Sequence, residues 1–252
     1  MEPYVHSETH AGITHIEFFH PHSNSLPLKI LEQLAHEIQY AGTQTETKVI
    51  VLKSAGDGAF CAGGNFEELT AITSKENGHA FFNGFALLIN AIRKCPKIVI
   101  GRIHGKCTGG GVGIAAACDY AIAVAGADIK LSELALGIGP FVVGPAVERK
   151  IGTSAFSQLA IDAKGWRNAE WARDKGLYAE LYHDIKALDE ALEKIADQLA
   201  HSSPEAMAQL KKIFWQGTEN WDELLKERAA ISGQLVLGNY TREAIATFKM
   251  KK

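Results

Sequence analysis

Between His104 and Asp128 the chain reads HGKCTGGGVGIAAACDYAIAVAGAD, and this stretch constrains the fold more than any other. Three consecutive glycines, Gly109 to Gly111, follow an apolar β-branched run (Lys97 to Ile103) and precede small residues ending at Cys118 and Asp119. A strand, a glycine turn and a helix of little side-chain bulk are expected there. Glycine tolerates φ > 0 and lets the backbone approach a ligand closely. A helix N-terminus adds partial positive charge, so the turn can hold an oxyanion or a phosphate.

The flanking chain alternates strands and helices. Residues 12–19 (GITHIEFF) predict a first strand, and Pro21 to Ser25 a turn. Leu28, Leu31, Leu34, Ala35 and Ile38 repeat at helical spacing, with Pro27 in the first turn. KVIVLK (Lys48 to Lys53) predicts a buried strand, and four glycines between Ser54 and Asn65 make a second glycine turn. Phe81, Phe85, Leu88, Ile89 and Ile92 mark a helix that leads through Pro96 to the strand before the central glycines. Tyr120 to Ala125 and the shorter Ile129 to Leu131 follow as strands. The alternation predicts an α/β protein with parallel strands.

Beyond Ser154 only one short strand, near Ala179 to Tyr182, is expected. Asn168, Ser203 with Pro204, and Asn220 with Glu223 have the character of helix starts. Leu188, Leu192, Ile195 and Leu199 repeat at helical spacing, as do Leu224, Leu225, Ile231 and Leu235. The last hundred residues are therefore expected to be mostly helical, capping the core or building an oligomer interface.

The net charge of −3 gives no electrostatic case for nucleic acid or an anionic membrane as partner. The longest basic run is the short Lys249 to Lys252 tail, expected to be a solvated terminus. Cys61, Cys95, Cys107 and Cys118 show no CxxC spacing, so neither zinc nor a disulfide framework is suggested. They suit a reducing compartment. The N-terminus MEPYVHSETH lacks the basic and apolar regions of a signal peptide, and no run is long enough to span a membrane. The expected location is cytoplasmic.

Taken alone, Gly111-x-Gly113-x-x-Ala116 fits a dinucleotide fingerprint with Asp128 as the ribose acid. That leaves the first glycine loop without a role. Both loops together resemble the crotonase (enoyl-CoA hydratase/isomerase) superfamily. AFCAGGNFEEL (Ala59 to Leu69) is similar to the family's AFCAGAD loop, and HGKCTGGGVGIAAACDY to its NGxAxGGGxELAxxCD segment. SELALGIGPF (Ser132 to Phe141) is similar to its PExxLGIxP segment. The motifs occur in the family's order over most of the chain.

The resemblance implies a spiral of ββα turns with two near-perpendicular sheets and a helical C-terminal region. By it, residues 1–190 would form the spiral core with the active site, and residues 191–252 a helical oligomerisation region. It also implies an acyl-CoA thioester substrate, no cofactor beyond the coenzyme A of the substrate, no metal, and a homotrimer or dimer of trimers. The N–H groups of Gly64 and Gly110 would hold the thioester oxygen. Ala62, Gly64, Asn65, Phe66, Glu67, Gly110 and Phe141 would contact substrate. Two preorganised donors suit an enolate, since removing a proton beside a thioester carbonyl leaves negative charge on that oxygen.

Hydratases of this family carry two glutamates. Here the first position is Gly113 and the second is Glu133. One carboxylate resembles instead the 3,2-trans-enoyl-CoA isomerases, in which a single glutamate shuttles the proton. A glutamate in an apolar pocket has its pKa raised, which suits that task. The expectation is therefore an enoyl-CoA isomerase with Glu133 as acid/base. The alternatives are a hydratase, for instance on methylglutaconyl-CoA, or another thioester reaction such as hydrolysis or decarboxylation. A non-catalytic acyl-CoA-binding protein is the alternative of a different class.

Of the other candidates, Asn65 stands where the family usually has aspartate, and Glu67 or Glu68 would be sought as a second acid. Glu133 could instead merely cap the helix that follows it. His20-Pro21-His22 lacks acidic or cysteine partners for a metal, and His104 reads as structural. Cys61 and Cys107 lack an activating base, and Trp166, Trp171, Trp215 and Trp221 read as core and interface.

Overall fold

A computed structural model of the chain describes residues 2–249, so the last three residues of the basic tail lie outside the described residues. Its strands are β1 (Tyr4–His10), β2 (Ile13–Phe19), β3 (Val49–Ser54), β4 (Ile98–Ile103), β5 (Cys107–Thr108), β6 (Tyr120–Val124), β7 (Ile129–Lys130) and β8 (Glu180–Tyr182). The helices are α1 (Leu28–Thr43), α2 (Phe66–Thr70), α3 (Lys75–Lys94), α4 (Gly110–Ala117), α5 (Gly144–Ile161), α6 (Ala169–Asp174), α7 (Ile185–Ala200), α8 (Pro204–Phe214), α9 (Trp221–Leu235) and α10 (Asn239–Lys249).

Six strands form one sheet in the order β1-β2-β3-β4-β6-β8. Only β1 and β2 pair antiparallel, and the other neighbours are parallel. Interior parallel strands are covered on both faces and read as unbroken apolar runs. Val49, Ile50, Val51 and Leu52 accordingly have no exposed surface. The strand order never reverses, so the sheet lacks the switch point at which dinucleotides bind, and the dinucleotide reading fails.

A second, smaller sheet pairs β5 with β7. Single bridges extend this row: Leu26 to Gly64, Cys61 to Cys107, and Ile129 to Arg167. The chain thus visits the large sheet, then the row, then a helix, and repeats. β2 leads to Leu26 and α1, β3 to Cys61–Gly64 and α2, β4 to β5 and α4, and β6 to β7 and α5. This is a ββα spiral, and both glycine loops lie in its second row.

The small residues of α4 serve packing. Every residue from Gly110 to Ala117 is buried, which a helix without bulk permits amid close neighbours. A β-carbon on Gly78 of α3 would stand 2.7 Å from the carbonyl oxygen of Gly233 in α9, so these two helices cross backbone to backbone. The α8 helix is tied down by a buried ion pair. Lys211 Nζ meets Asp119 Oδ2 at 2.7 Å with side chains 3% and 2% exposed. Asp119 also accepts from the Val99 N–H and from Trp215 Nε1.

Asn168 and Ser203 cap α6 and α8 as expected, whereas Asn220 makes no side-chain cap. In α9, Leu225 is fully buried but Ile231 and Leu235 are exposed. Residue 190 lies inside α7, a continuous helix whose Leu188 and Leu192 join the core. Trp221, Leu225 and Ala229 join the same core. Among the described residues no helix is long and apolar enough to cross a membrane.

Candidate active site

The two glycine loops lie side by side. The Thr108 N–H donates to the Cys61 carbonyl at 2.9 Å, stitching the second loop to the first. In the first loop Asn65 caps α2, its Oδ1 accepting from the Glu68 N–H at 2.9 Å. Its Nδ2 donates to Ser25 Oγ, so the amide is used for structure. In the second loop Gly109 precedes α4 with φ 52° and ψ −116°, a conformation closed to residues with a β-carbon. The Gly109 N–H donates to the Lys130 carbonyl at 2.8 Å. The N–H groups of Gly64 and Gly110 have no acceptor among the described residues. Both glycines line one cavity.

That cavity measures about 1320 Å³. It is lined by Gly64, Gly110 and Glu133, and by Ala62, Asn65, Phe66, Glu67 and Phe141. All the expected site residues are thus brought together.

Glu133 opens the 3-10 turn Leu134–Leu136 and makes no side-chain cap to it, so its carboxylate is not a helix cap. Its Oε2 is buried without a hydrogen-bond partner. Burial raises its pKa from 4.5 to about 7, partly offset by its own backbone N–H. A group balanced near neutrality can both accept and return a proton.

Two other carboxylates line the cavity, Glu67 and Glu243, and both are exposed. Glu67 sits 3.8 Å from His22 Nδ1 with a side chain 78% exposed. Glu68 is occupied: its Oε2 accepts from the Leu28 N–H at 2.7 Å and so caps α1. At Gly113 a β-carbon would stand 2.6 Å from Val143 Cβ, so the place where a side chain would begin is filled.

His104 is buried away from the cavity, and its pKa is lowered by burial and then by Arg102. His20 is buried too, its Nδ1 held by the His22 N–H. Burial pushes the Cys61 thiol up to about 12 and raises that of Cys107 as well, so neither supplies a thiolate. Trp215 and Trp221 are buried edge to face with ring centres 5.7 Å apart, while Trp166 is 40% exposed.

The family profile described as Enoyl-CoA hydratase/isomerase matches residues 8–246. The chain belongs to the enoyl-CoA hydratase/isomerase family. It is 28% identical to the "Probable enoyl-CoA hydratase" of Bacillus subtilis (strain 168), over 92% of this chain and 90% of that one. It is 25% identical to the peroxisomal Delta(3,5)-Delta(2,4)-dienoyl-CoA isomerase of Arabidopsis thaliana, over 98% and 94%. It is 30% identical to the mitochondrial methylglutaconyl-CoA hydratase of Homo sapiens, over 78% of this chain and 58% of that one. In fold it is similar to the crystal structure of an enoyl-CoA hydratase from Bacillus halodurans, with a TM-score of 0.89 and 22% identity over 97% and 99% of the two chains. The crotonase-like spiral expected from the motifs is the fold found.

Several cavity residues of this family member escaped the sequence reading. Phe81, Phe82 and Phe85 of α3 line the cavity, though their spacing announced only a helix with a buried face. Tyr240, Ala244 and Thr247 bring α10 to the cavity wall, and nothing in their pattern marks them for it. Lys130 lines it too, with Nζ 4.4 Å from the Trp166 ring centre. Burial and then the neighbouring Lys106 lower its pKa.

Proposed function

We propose that this enzyme moves the double bond of an enoyl-CoA thioester, with Glu133 carrying the proton. The observation that supports it is the pairing of Gly113 with Val143: no second carboxylate stands there, and Val143 fills its place. Of the carboxylates lining the cavity, only Glu133 is buried at its charged end.

The step balances without another reactant. Ionised Glu133 takes the α proton of a 3-enoyl-CoA, and the C–H electron pair spreads through the dienolate to the thioester oxygen. The Gly64 and Gly110 N–H groups donate to that oxygen, each worth roughly 2.7–4 kcal/mol of barrier in comparable holes. The electron pair then returns, a bond forms between the γ carbon and the proton on Glu133, and a 2-enoyl-CoA leaves. No cofactor beyond the substrate's coenzyme A is called for.

Leu69, Phe81, Ile138 and Val236 form a separate apolar cluster with Phe66 and Ile245 packed against it. Its members Leu69 and Ile138, which line the cavity with Phe141 and Val142, are proposed to receive the acyl chain. The apolar surface left open at Leu210, Ile213 and Phe214 of α8 is proposed to contribute to a trimer or dimer of trimers.

Hydration is the second reading, favoured by the hydratase names of two of the relatives. It would need water held opposite Glu133, with Glu67, one of the two exposed carboxylates lining the cavity, to assist. A panel of 3-enoyl-, 2-enoyl- and methylglutaconyl-CoA thioesters with products resolved by mass separates the two. Isomerisation predicts double-bond migration as the fastest reaction. A 3-hydroxyacyl-CoA formed fastest overturns it.

A further inference from the structure

Gly64 and Gly110 are not glycines for the sake of their backbone angles, since neither has a positive φ. Both are glycines because of α3. A β-carbon on Gly64 would stand 2.7 Å from Phe81 Cζ. A β-carbon on Gly110 would enter the edge of the Phe85 ring, 2.9 Å from its Cδ1. Phe85 also reaches the first loop, with Cε2 3.6 Å from the same point at Gly64.

Phe81 and Phe85 are four residues apart on one helix, so their rings stand one turn above the other on a single face. They are 4% and 5% exposed. The helix that carries them is held on other sides by close contacts at two further glycines. Gly84 lies under α1, where a β-carbon would be 2.8 Å from Leu28 Cδ1, and Gly78 lies against Gly233 of α9. One clamped helix therefore presents two rigid rings to two loops that come from different turns of the spiral.

We propose that Phe81 and Phe85 are positioning residues that set the separation and aim of the two oxyanion donors. Each ring edge rests on a bare glycine α-carbon and blocks that peptide from moving back into α3. A planar ring has few ways to yield, whereas an aliphatic side chain of similar volume would let the peptide rock. Donors displaced by part of an ångström still bind a thioester but stabilise the developing oxyanion less. This rests on the proposal that Gly64 and Gly110 form the oxyanion hole.

The test uses the full-length enzyme, a thioester with a carbonyl conjugated to a chromophore (cinnamoyl-CoA), and the variants Phe85→Leu and Phe81→Leu. Polarisation of the bound carbonyl by the two N–H groups shifts its absorbance to longer wavelength. If wild type binds cinnamoyl-CoA without a red shift, the oxyanion-hole proposal itself fails. Given a red shift in wild type, each folded leucine variant is expected to bind within about threefold of wild type yet lose most of the shift. Its kcat should fall about ten- to a hundredfold with KM nearly unchanged. A full red shift and wild-type kcat in either folded leucine variant overturns the proposal. Phe81→Leu carries the same test should Phe85→Leu fail to fold.

Discussion

Oε1 of Glu133 lies 2.9 Å from the point where a β-carbon on Gly109 would stand. The Glu133 carboxylate and the turn that opens the second glycine loop thus share one space. Gly109 is required twice, for its φ of 52° and for the room it leaves to the carboxylate. Gly109→Ala should therefore cost about 1–3 kcal/mol of stability through backbone strain. It should also lower kcat by about a hundredfold, because the carboxylate is pushed off its place. Denaturant melts and steady-state kinetics on the purified variant check both.

The pKa of about 7 at Glu133 fixes a pH dependence. The base must be ionised to take the α proton, so kcat/KM should rise with pH through about 7 and then level off. Stability should run the other way. The folded pKa lies above the ordinary 4.5, so the neutral carboxyl is favoured in the fold. That contribution is full below 4.5 and is lost as pH rises through about 7. Glu133→Gln, uncharged at every pH, should match wild type in Tm at low pH and exceed it above neutrality.

Much of the site was readable because glycine turns and a PE-like segment are local signals. Glu133, Gly64 and Gly110 stand in short motifs, and their convergence follows from the order of the motifs along the spiral. What the sequence hid is what depends on contacts between distant segments. Val143 carries no mark that it would fill the space at Gly113, and Phe81 and Phe85 none that they would face the loops. The first strand was missed for a different reason. Most of Tyr4–His10 is exposed at the sheet's edge, so it lacks the apolar alternation that identifies a strand. Its hairpin turns at Ala11 and Gly12, both with positive φ, where an alanine gives no warning of the turn. In α9 the helical spacing announced the helix but not which of its apolar residues pack inward: Leu225 is buried, while Ile231 and Leu235 stay exposed.

Filling Gly113 tests how firmly Val143 closes the second-carboxylate position. Gly113→Ala should destabilise by about 1–3 kcal/mol through overpacking. Adding Val143→Ala should recover part of that loss, because the two groups compete for one volume. Chemical denaturation of both singles and the double variant measures the coupling. Additive effects would mean that the two positions do not contend for space.

The buried pair of Lys211 and Asp119 should matter for stability and little for turnover. Lys211→Met leaves Asp119 charged and enclosed, at a cost of about 3–5 kcal/mol. At temperatures where the variant stays folded, its kcat should stay near wild type, since neither residue lines the cavity. Calorimetry with kinetics well below the variant's Tm checks this, and a large fall in kcat there would show that the pair also positions the site.

The central claim is that one carboxylate, Glu133, moves a proton between two carbons of the same acyl chain. The most direct measurement is early turnover of a 3-enoyl-CoA by wild type and by Glu133→Gln, with products resolved by mass. Wild type should give the 2-enoyl-CoA before any 3-hydroxyacyl-CoA accumulates, and the variant should still bind thioester yet lose activity by roughly 10²–10⁴-fold. A 3-hydroxyacyl-CoA formed without double-bond migration, or a folded Glu133→Gln enzyme as active as wild type, would contradict the claim.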